Sequence, residues 1–232
     1  MTSSEIKSLT ISLGAEKCGI ASVDRFKDAP AGFHPLDIYG NCNSVIVFLV
    51  QMPAEIIMAA NPVPYSHTAY LIYSRLDIIG LNLSKAIQNN GNSAIPIPSD
   101  VPYLYWDNVN RHGMGILSLR HAAWLAGLGF LGRNNLLINP DLGNMAYAGA
   151  VLTDIELEPD TVITELKCPS KCRICLDNCP PKALDGTTVS QKLCRQHSGL
   201  HHERGFSIYT CNLCRKMCPL RTGNKKNEYL PN

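Results

Sequence analysis

The chain has 232 residues, of which 45% are hydrophobic, so it can form one large domain or a domain with a small additional module. No uninterrupted apolar run of about 18 residues is present and the N-terminus is polar, which predicts a reduced, cytoplasmic protein with no membrane partner. The net charge of +2 conceals an asymmetry: residues 1–160 carry 9 Lys and Arg against 14 Asp and Glu, whereas residues 161–232 carry 12 against 5. The surplus of positive charge in residues 161–232 would attract an acidic electron donor or a nucleic acid. The alternative is that it is only a solvated basic tail at Lys225 and Lys226.

The first part of the chain has short helix and strand patterns. Ser3 or Ser4 is expected to cap a helix that ends near Gly14, and a short strand is expected over residues 18–23. The β-branched, almost continuously apolar segment 44–52 predicts a central strand that is buried on both faces.

A long helix is the next feature in the sequence. The turn-rich segment 61–68 leads into residues 69–88, where apolar side chains recur at three- and four-residue steps. Asn-Asn-Gly at 89–91 is expected to end this helix. A brief strand follows at 93–97, and then a Pro-containing loop that carries Tyr103, Tyr105 and Trp106.

A glycine-rich turn follows the helix expected over residues 117–126. Gly127, Gly129 and Gly132 match the G-x-G-x-x-G pattern, but a dinucleotide fingerprint follows a strand and opens a helix. Here the glycines follow a helix and precede a strand expected over 135–138. We therefore expect Gly127 or Gly129 to cap the helix, and we do not expect a nicotinamide cofactor at this turn.

Another strong strand pattern covers residues 146–157, and Pro159 with Asp160 marks a change of composition. The mixture of helices and strands before this point predicts an α/β (α+β) domain over residues 1–160. Residues 161–232 then form a separate, cysteine-rich module.

Eight of the ten cysteines lie between residues 168 and 218. The pattern C-x2-C-x3-C-P occurs twice, and one further cysteine precedes each run. Thiolates are soft ligands suited to iron, and a cubane cluster needs four of them, the cysteine before the proline normally serving the other cluster. The spacing therefore predicts two 4Fe–4S clusters, one held by Cys168, Cys172, Cys175 and Cys218, and the other by Cys179, Cys194, Cys211 and Cys214.

Two alternatives to clusters fit part of this pattern. Paired C-x2-C steps can hold zinc ions, and eight cysteines can form four disulfides in a secreted protein. Neither alternative requires the repeated x3-C-P continuation. The remaining cysteines, Cys18 and Cys42, have no ligand motif near them and are expected to be packing residues.

The stretch from about Leu119 to Cys218 resembles the epoxyqueuosine reductases and, more distantly, the reductive dehalogenases. The resemblance rests on R-H-A-A-W-L-A-G-L-G-F-L-G-R-N-N-L-L-I-N-P, the strand A-Y-A-G-A-V-L and the double cysteine run. It implies a nitroreductase-like cofactor domain followed by a ferredoxin-like domain with two clusters. It also implies a cobalamin that the clusters reduce and whose cobalt opens an epoxide or removes a halide; a flavin in the first domain is the alternative.

The glycine turn is the expected cofactor region, because glycine lets the backbone approach a large planar ring. Arg133 and the nearby asparagines offer donors and acceptors for the amide groups of a corrin. Asn134 and Asn139 have the alternative role of satisfying loop backbone groups. Met145 and Phe130 are expected chiefly to pack. The full set expected at the cofactor is Gly129, Leu131, Gly132, Arg133, Asn134, Asn135, Asn139 and Met145.

The chain departs from the epoxyqueuosine reductases at the position of their acidic proton donor. An ungapped count from the glycine turn places that acid on Gly113. The neighbouring His112 is the expected substitute, because histidine exchanges a proton near neutral pH. Tyr105 is a further candidate catalytic residue, and Tyr65 and Tyr103 are alternative proton donors.

The chain also ends without the helical-repeat extension with which the queuosine enzymes help to hold tRNA. Both departures argue against a tRNA substrate. We expect a reductase that acts on a small molecule or a modified nucleoside. A flavodoxin- or ferredoxin-like low-potential donor is expected to supply its electrons. An electron carrier, or a reductive activator of a partner corrinoid protein, is the alternative.

Overall fold

The computed structural model describes residues 1–165 and 167–223; the basic pair at 225 and 226 lies outside the described residues. The helices are α1 (Ser3–Ser12), α2 (Pro35–Ile38), α3 (Val63–Asn89), α4 (Leu119–Leu125), α5 (Ile174–Asp177), α6 (Gln191–Ser198) and α7 (Leu213–Lys216). The strands are β1 (Lys17–Ser22), β2 (Ser44–Gln51), β3 (Ala94–Ile97), β4 (Tyr105–Asp107), β5 (His112–Met114), β6 (Phe130–Leu131), β7 (Leu137–Ile138), β8 (Ala146–Thr153), β9 (Gly199–His201) and β10 (Ser207–Tyr209).

A four-stranded antiparallel sheet of order β1-β2-β8-β3 forms the centre of the first part of the chain. Strand β2 lies inside this sheet, and all its residues except Gln51 are buried, as its apolar sequence predicts. Val45, Val47 and Leu49 pack on the face that α4 covers. The alternate side chains, including Phe48, pack on the face that α1 and α3 cover. Because both faces are covered, the strand needs no polar alternation.

Helix α1 is capped by Thr2 and not by Ser3 or Ser4. The Thr2 hydroxyl accepts a hydrogen bond from the Glu5 backbone N–H, and the Glu5 carboxylate accepts one from the Thr2 N–H. This reciprocal pair satisfies two donors of the first turn. The serine prediction was therefore wrong by one position, because the glutamate three residues after the cap decides where the box forms.

Helix α3 begins at Val63, so the turn predicted over 61–68 is mostly helical. Proline is tolerated in the first turn of a helix, where its missing N–H has no partner to lose. Asn61 Oδ1 accepts from the Val63 N–H, and Ser66 Oγ donates to the Pro62 carbonyl. These contacts let the helix start inside the proline-rich segment.

The aromatic loop that the sequence predicts after β3 contains a hairpin. Strand β4 pairs with β5, so that Trp106 faces Gly113 and Asp107 faces His112 in the register. The two strands form a separate two-stranded sheet and are not part of the central four-stranded sheet. The hairpin fixes the positions of the residues that the sequence nominates for proton transfer.

The glycine turn has the predicted order of helix before strand. Gly127 follows α4 with a φ of +72°, and its N–H donates to the Trp124 carbonyl, so it caps the helix as expected. The turn then enters the short β6–β7 hairpin, with β7 at the end of the segment predicted as a strand. A dinucleotide fingerprint needs the opposite order of elements.

We expect Gly127→Ala to lower the free energy of unfolding by about 2–4 kcal/mol. A left-handed alanine costs about 1–2 kcal/mol, and its Cβ would also overlap the Thr161 carbonyl oxygen. Gly91→Ala is the matched control, because Gly91 has a φ of +82° but open space around it, so only about 1 kcal/mol should be lost. Urea denaturation would measure both variants, and equal losses would contradict the role of the Thr161 contact.

Residues 161–165 and 167–223 carry three short helices and the β9–β10 hairpin, and this hairpin packs on the first part of the chain. The Tyr209 N–H donates to Ser66 Oγ at 2.8 Å, and the Tyr70 hydroxyl donates to the Ser207 carbonyl at 3.0 Å. These bonds join α3 to β10. The boundary at residue 160 stays a prediction. None of the described helices is long and apolar enough to cross a membrane.

Candidate functional site

The eight cysteines between 168 and 218 fall into two groups of four, each drawn from both sequence runs. The first group lines a small cavity and consists of Cys168, Cys172, Cys175 and Cys218. The second group consists of Cys179, Cys194, Cys211 and Cys214, which lie close enough together that the other three raise the pKa of Cys214, and Cys179 and Cys211 raise that of Cys194. Cys218 thus leaves its own run to join the first group, and Cys179 leaves its run to join the second.

Each C-x2-C step runs into a single helical turn. Cys175 lies in α5 and Cys214 in α7, so the spacing folds each run as a tight loop followed by a turn. Backbone N–H groups point at two of the sulfurs: Arg133 donates to Cys168 Sγ at 3.4 Å and Ala183 donates to Cys179 Sγ at 3.3 Å. Hydrogen bonds to sulfur are one of the means by which proteins tune cluster potentials.

The thiols are held in surroundings that disfavour their ionisation. Burial raises the pKa of Cys214 and of Cys218 to about 11 each, and the other thiols of the same group raise it as well. Burial also raises the pKa of Cys175 and of Cys194. Four such thiols release their protons together only when a cationic centre compensates the charge, which is what metal binding does.

Neither alternative to clusters gains support from the structure. All ten cysteines are free thiols. Within the described ranges, no three His, Cys, Asp or Glu side chains converge closely enough to hold a single metal ion. Cys42 is buried in the hydrophobic cluster on one face of the central sheet, and Cys18 packs against the cluster on the other face, as expected of packing residues. Burial raises the pKa of both thiols to about 11.

Two residues expected at the cofactor connect the glycine turn to both cysteine groups. The Arg133 guanidinium donates to the Cys172 and Ser170 carbonyls at 2.6 and 2.8 Å. The next residue, Asn134, donates through Nδ2 to the Cys214 carbonyl at 3.1 Å. Successive side chains of one turn therefore hold the loops of the two groups.

The other residues of the expected cofactor set lie in the same region. Asn139 donates to the Leu128 carbonyl and accepts two backbone N–H groups, which is the alternative role predicted for it. Met145 is fully buried, and Phe130 is buried as well. Gly129, Leu131 and Gly132 form the start of the β6–β7 hairpin. Asn135 differs, because its Nδ2 is buried and has no hydrogen-bond partner. Contact between this set and a corrin stays a prediction.

The candidate proton donors lie on the β4–β5 hairpin. His112 lines a cavity of about 500 Å³, and the Tyr105 ring meets the His112 ring edge-on with centroids 6.0 Å apart. Gly113, on which the ungapped count places the family acid, is closely packed, because a Cβ would stand 3.0 Å from the Trp106 ring. The structure thus brings His112 and Tyr105 together, while their catalytic role stays a prediction.

The hairpin packs on α6, the helix that carries Cys194. Gln191 exchanges two hydrogen bonds of 3.0 Å with the backbone of Gly113. The Arg195 guanidinium lies 4.8 Å from the Trp106 ring centroid. The candidate proton donors are therefore attached to an element that bears a cysteine of the second group.

Tyr65 and Tyr103 offer less acidic hydroxyls than an ordinary tyrosine. Burial raises the pKa of both. Tyr65 is almost fully buried, with its hydroxyl 3.3 Å from that of Tyr147. The Tyr103 hydroxyl donates to Asp100 at 3.0 Å. Each hydroxyl therefore has a hydrogen-bond partner within the protein, and a role in proton donation stays a prediction for both.

A buried arginine beside the second cysteine group escaped the sequence analysis. Arg215 is only 8% exposed, and its guanidinium lies 4.8 Å from the Tyr147 ring centroid and donates to the Asn144 carbonyl. No carboxylate pairs with it among residues 1–165 and 167–223. Burial lowers the pKa of Arg215, and Tyr147, Tyr65 and Cys214 more than offset this, so it stays charged. Its position next to Cys214 was the one available signal.

Comparison with known proteins finds sequence similarity to epoxyqueuosine reductases. No protein-family model matches the chain. The epoxyqueuosine reductase of Staphylococcus aureus is 40% identical over 119 aligned positions, which cover 47% of this chain and 31% of that protein. The epoxyqueuosine reductase of Leadbetterella byssophila is 23% identical over 272 aligned positions, which cover 99% of this chain and 84% of that protein. The more similar relative is thus matched over less than a third of its length.

Solved structures agree with the sequence matches. The epoxyqueuosine reductase of Streptococcus thermophilus superposes with a TM-score of 0.67 at 21% identity, covering 94% of this chain and 66% of that one. A catabolic reductive dehalogenase gives a TM-score of 0.69 at 20% identity, over 96% of this chain and 32% of that one. An epoxyqueuosine reductase solved with an epoxyqueuosine-modified tRNA stem loop gives 0.63 at 20%, over 95% and 65%. The predicted mixed α/β fold is confirmed: the chain is similar in sequence to epoxyqueuosine reductases and has a fold that is found in them and in reductive dehalogenases.

Proposed function

We propose that this chain is an iron–sulfur reductase that passes electrons through two 4Fe–4S clusters to a bound cobalamin, where a small molecule or a modified nucleoside is reduced. The observation that carries this proposal is the sorting of eight thiols into two groups of four, with Cys179 and Cys218 exchanged between the runs. Two clusters that share ligand segments lie near each other, which favours electron transfer between them. The relatives named epoxyqueuosine reductase support the reductase class.

The chemistry of the donor sets fits the clusters. Each group offers four sulfur atoms, and soft thiolates suit iron–sulfur clusters. The N–H groups aimed at Cys168 and Cys179 would remain as hydrogen bonds to ligated sulfur. Arg133 and Asn134 would hold the two ligand loops at a fixed separation.

A cobalamin, when bound, would supply cobalt-centred reduction of a strained or halogenated carbon. Asn135 would help to bind the cobalamin. Its buried Nδ2 has no hydrogen-bond acceptor in the described part of the protein, and the amide side chains of a corrin carry carbonyl oxygens that can accept from it. Arg133, Asn134 and Asn139 already have protein partners, so they would shape the region rather than bind the ring. His112 would hold the proton that the reduced substrate takes up.

The proposal names the chemical class of the substrate and of the electron donor. One structural relative carries a tRNA stem loop, so the expectation against tRNA has no support from the comparisons, and a modified nucleoside in tRNA stays among the substrates. Electrons would come from an external low-potential donor of the flavodoxin or ferredoxin type. The basic character of residues 161–232 would favour an acidic donor.

The test is anaerobic reconstitution of the full chain with iron and sulfide, followed by addition of cobalamin and removal of the excess. We expect about eight irons per chain, a broad charge-transfer absorbance and one retained cobalt. A protein reconstituted with zinc in place of iron is the control for nonspecific cobalamin retention. About eight irons without cobalt would replace the proposal by an electron carrier, and bound flavin would replace it by a flavin reductase.

A further inference from the structure

The cavity of about 500 Å³ that His112 lines has the features of a ligand site. It lies between α4, the β4–β5 hairpin and the segment from the 3-10 helix at Val23–Phe26 to Phe33. Its volume is in the range of small-molecule sites, which are mainly apolar with a few polar groups. The apolar side chains that line it are Phe26, Phe33, Met114, Leu117, Trp124 and Leu125.

The polar part of the cavity carries excess positive charge. The Arg120 Nε is buried without a hydrogen-bond partner, and the described part of the chain gives Arg120 no ion pair. The Arg25 guanidinium donates to the backbone carbonyls of Leu125 and Asp160, at 2.7 and 2.5 Å. These acceptors are neutral, so they do not cancel the positive charge of Arg25. Asp28 is the only carboxylate in the lining.

The remaining ionisable group next to Arg120 does not alter this balance. Burial lowers the pKa of His121, and the charge of Arg120 lowers it further, so the ring is neutral near pH 7. Its Nδ1 lies 2.6 Å from Ser118 Oγ, which already partners it. Burial lowers the pKa of Arg120 as well, and no neighbouring carboxylate opposes that effect. The Arg120 Nε is therefore buried, and its guanidinium has no ion-pair partner among residues 1–165 and 167–223.

We infer that this cavity binds a small organic carboxylate. Arg120 binds the carboxylate group, and the aromatic side chains of the wall contact the flat apolar body of the ligand. A guanidinium presents a planar fork that matches a carboxylate. The half-buried Phe33 and Trp124 offer aromatic surface for the body of the ligand. Binding does not depend on the clusters or the cobalamin; that the ligand is the substrate, placed within reach of His112, does rest on the proposed function.

The test uses the full chain and fluorine NMR of two probes of nearly the same shape, 4-fluorobenzoate and the neutral 4-fluorobenzamide. We expect saturable broadening of the benzoate signal and at least tenfold weaker binding of the amide. Arg120→Gln should weaken benzoate binding at least tenfold and remove the preference, whereas Arg120→Lys should keep a preference for the charged probe. Arg204→Gln, at an exposed position outside the cavity, is the matched control and should bind like the parent.

Equal binding of the two probes, or a preference that survives Arg120→Gln, would overturn the inference. Circular dichroism of each variant shows whether it has folded, and the lysine variant decides the question if the glutamine variant has not. Iron and cobalt analysis of the same samples separates this inference from the proposed function. Carboxylate binding by a chain that takes up neither iron nor cobalt on reconstitution would keep the first and reject the second.

Discussion

Replacing Cys179 with alanine is expected to remove the cluster held by Cys194, Cys211 and Cys214, and to leave the cluster at Cys168 intact. The reason is the exchange seen in the structure, in which the thiol of Cys179 interacts with the second group. The iron content should fall from about eight to about four per chain.

Cys218→Ala is the reciprocal variant, and it should remove the first cluster and keep the second. Cys42→Ala is the control, because this buried thiol lies in the hydrophobic core away from both groups. Electron paramagnetic resonance of the reduced proteins would identify which cluster remains. If Cys179→Ala lost only the cluster of Cys168, Cys172 and Cys175, the assignment of ligands would be reversed.

The second large effect is expected at Arg215. A buried positive charge next to Cys214 favours the reduced, more negative form of a cluster at this site. Arg215→Met removes the charge and keeps an unbranched side chain, so the midpoint potential of the second cluster should fall. We expect at least a tenfold change in the one-electron equilibrium, which corresponds to about 59 mV.

Arg215→Lys is the matched control for charge. It should keep most of the potential, although it loses the guanidinium geometry over the Tyr147 ring. A redox titration followed by electron paramagnetic resonance would compare both variants, with iron analysis to show that their clusters are complete. Identical potentials in parent and Arg215→Met would show that the buried charge does not act on this cluster.

Arg215 also raises the question of how the protein tolerates a buried cation. An unpaired buried charge is costly unless its field is compensated. The Tyr147 ring and the Asn144 carbonyl compensate part of that cost. An anionic cluster ligated by the adjacent Cys214 would supply the rest. Under the proposed function, cofactor loading and burial of Arg215 therefore stabilise each other.

Local patterns in the sequence were sufficient for several elements. The apolar run of β2 predicted a strand buried on both faces, and the glycine after α4 predicted its cap. The ligand grouping came from the same kind of reasoning, because C-x2-C fixes a loop and x3-C-P carries the third thiol beyond its reach. Iron ligation itself stays a prediction.

Contacts between distant segments decided the rest. The sequence placed Arg133 and Asn134 at a cofactor, whereas the structure engages them with loops about 40 and 80 residues away in sequence. The uncompensated Arg120 and Arg215 become visible only when the side chains around them are known. Periodicity and spacing report a residue's neighbours along the chain, but the charge, burial and partners of a site depend on segments that only folding brings together.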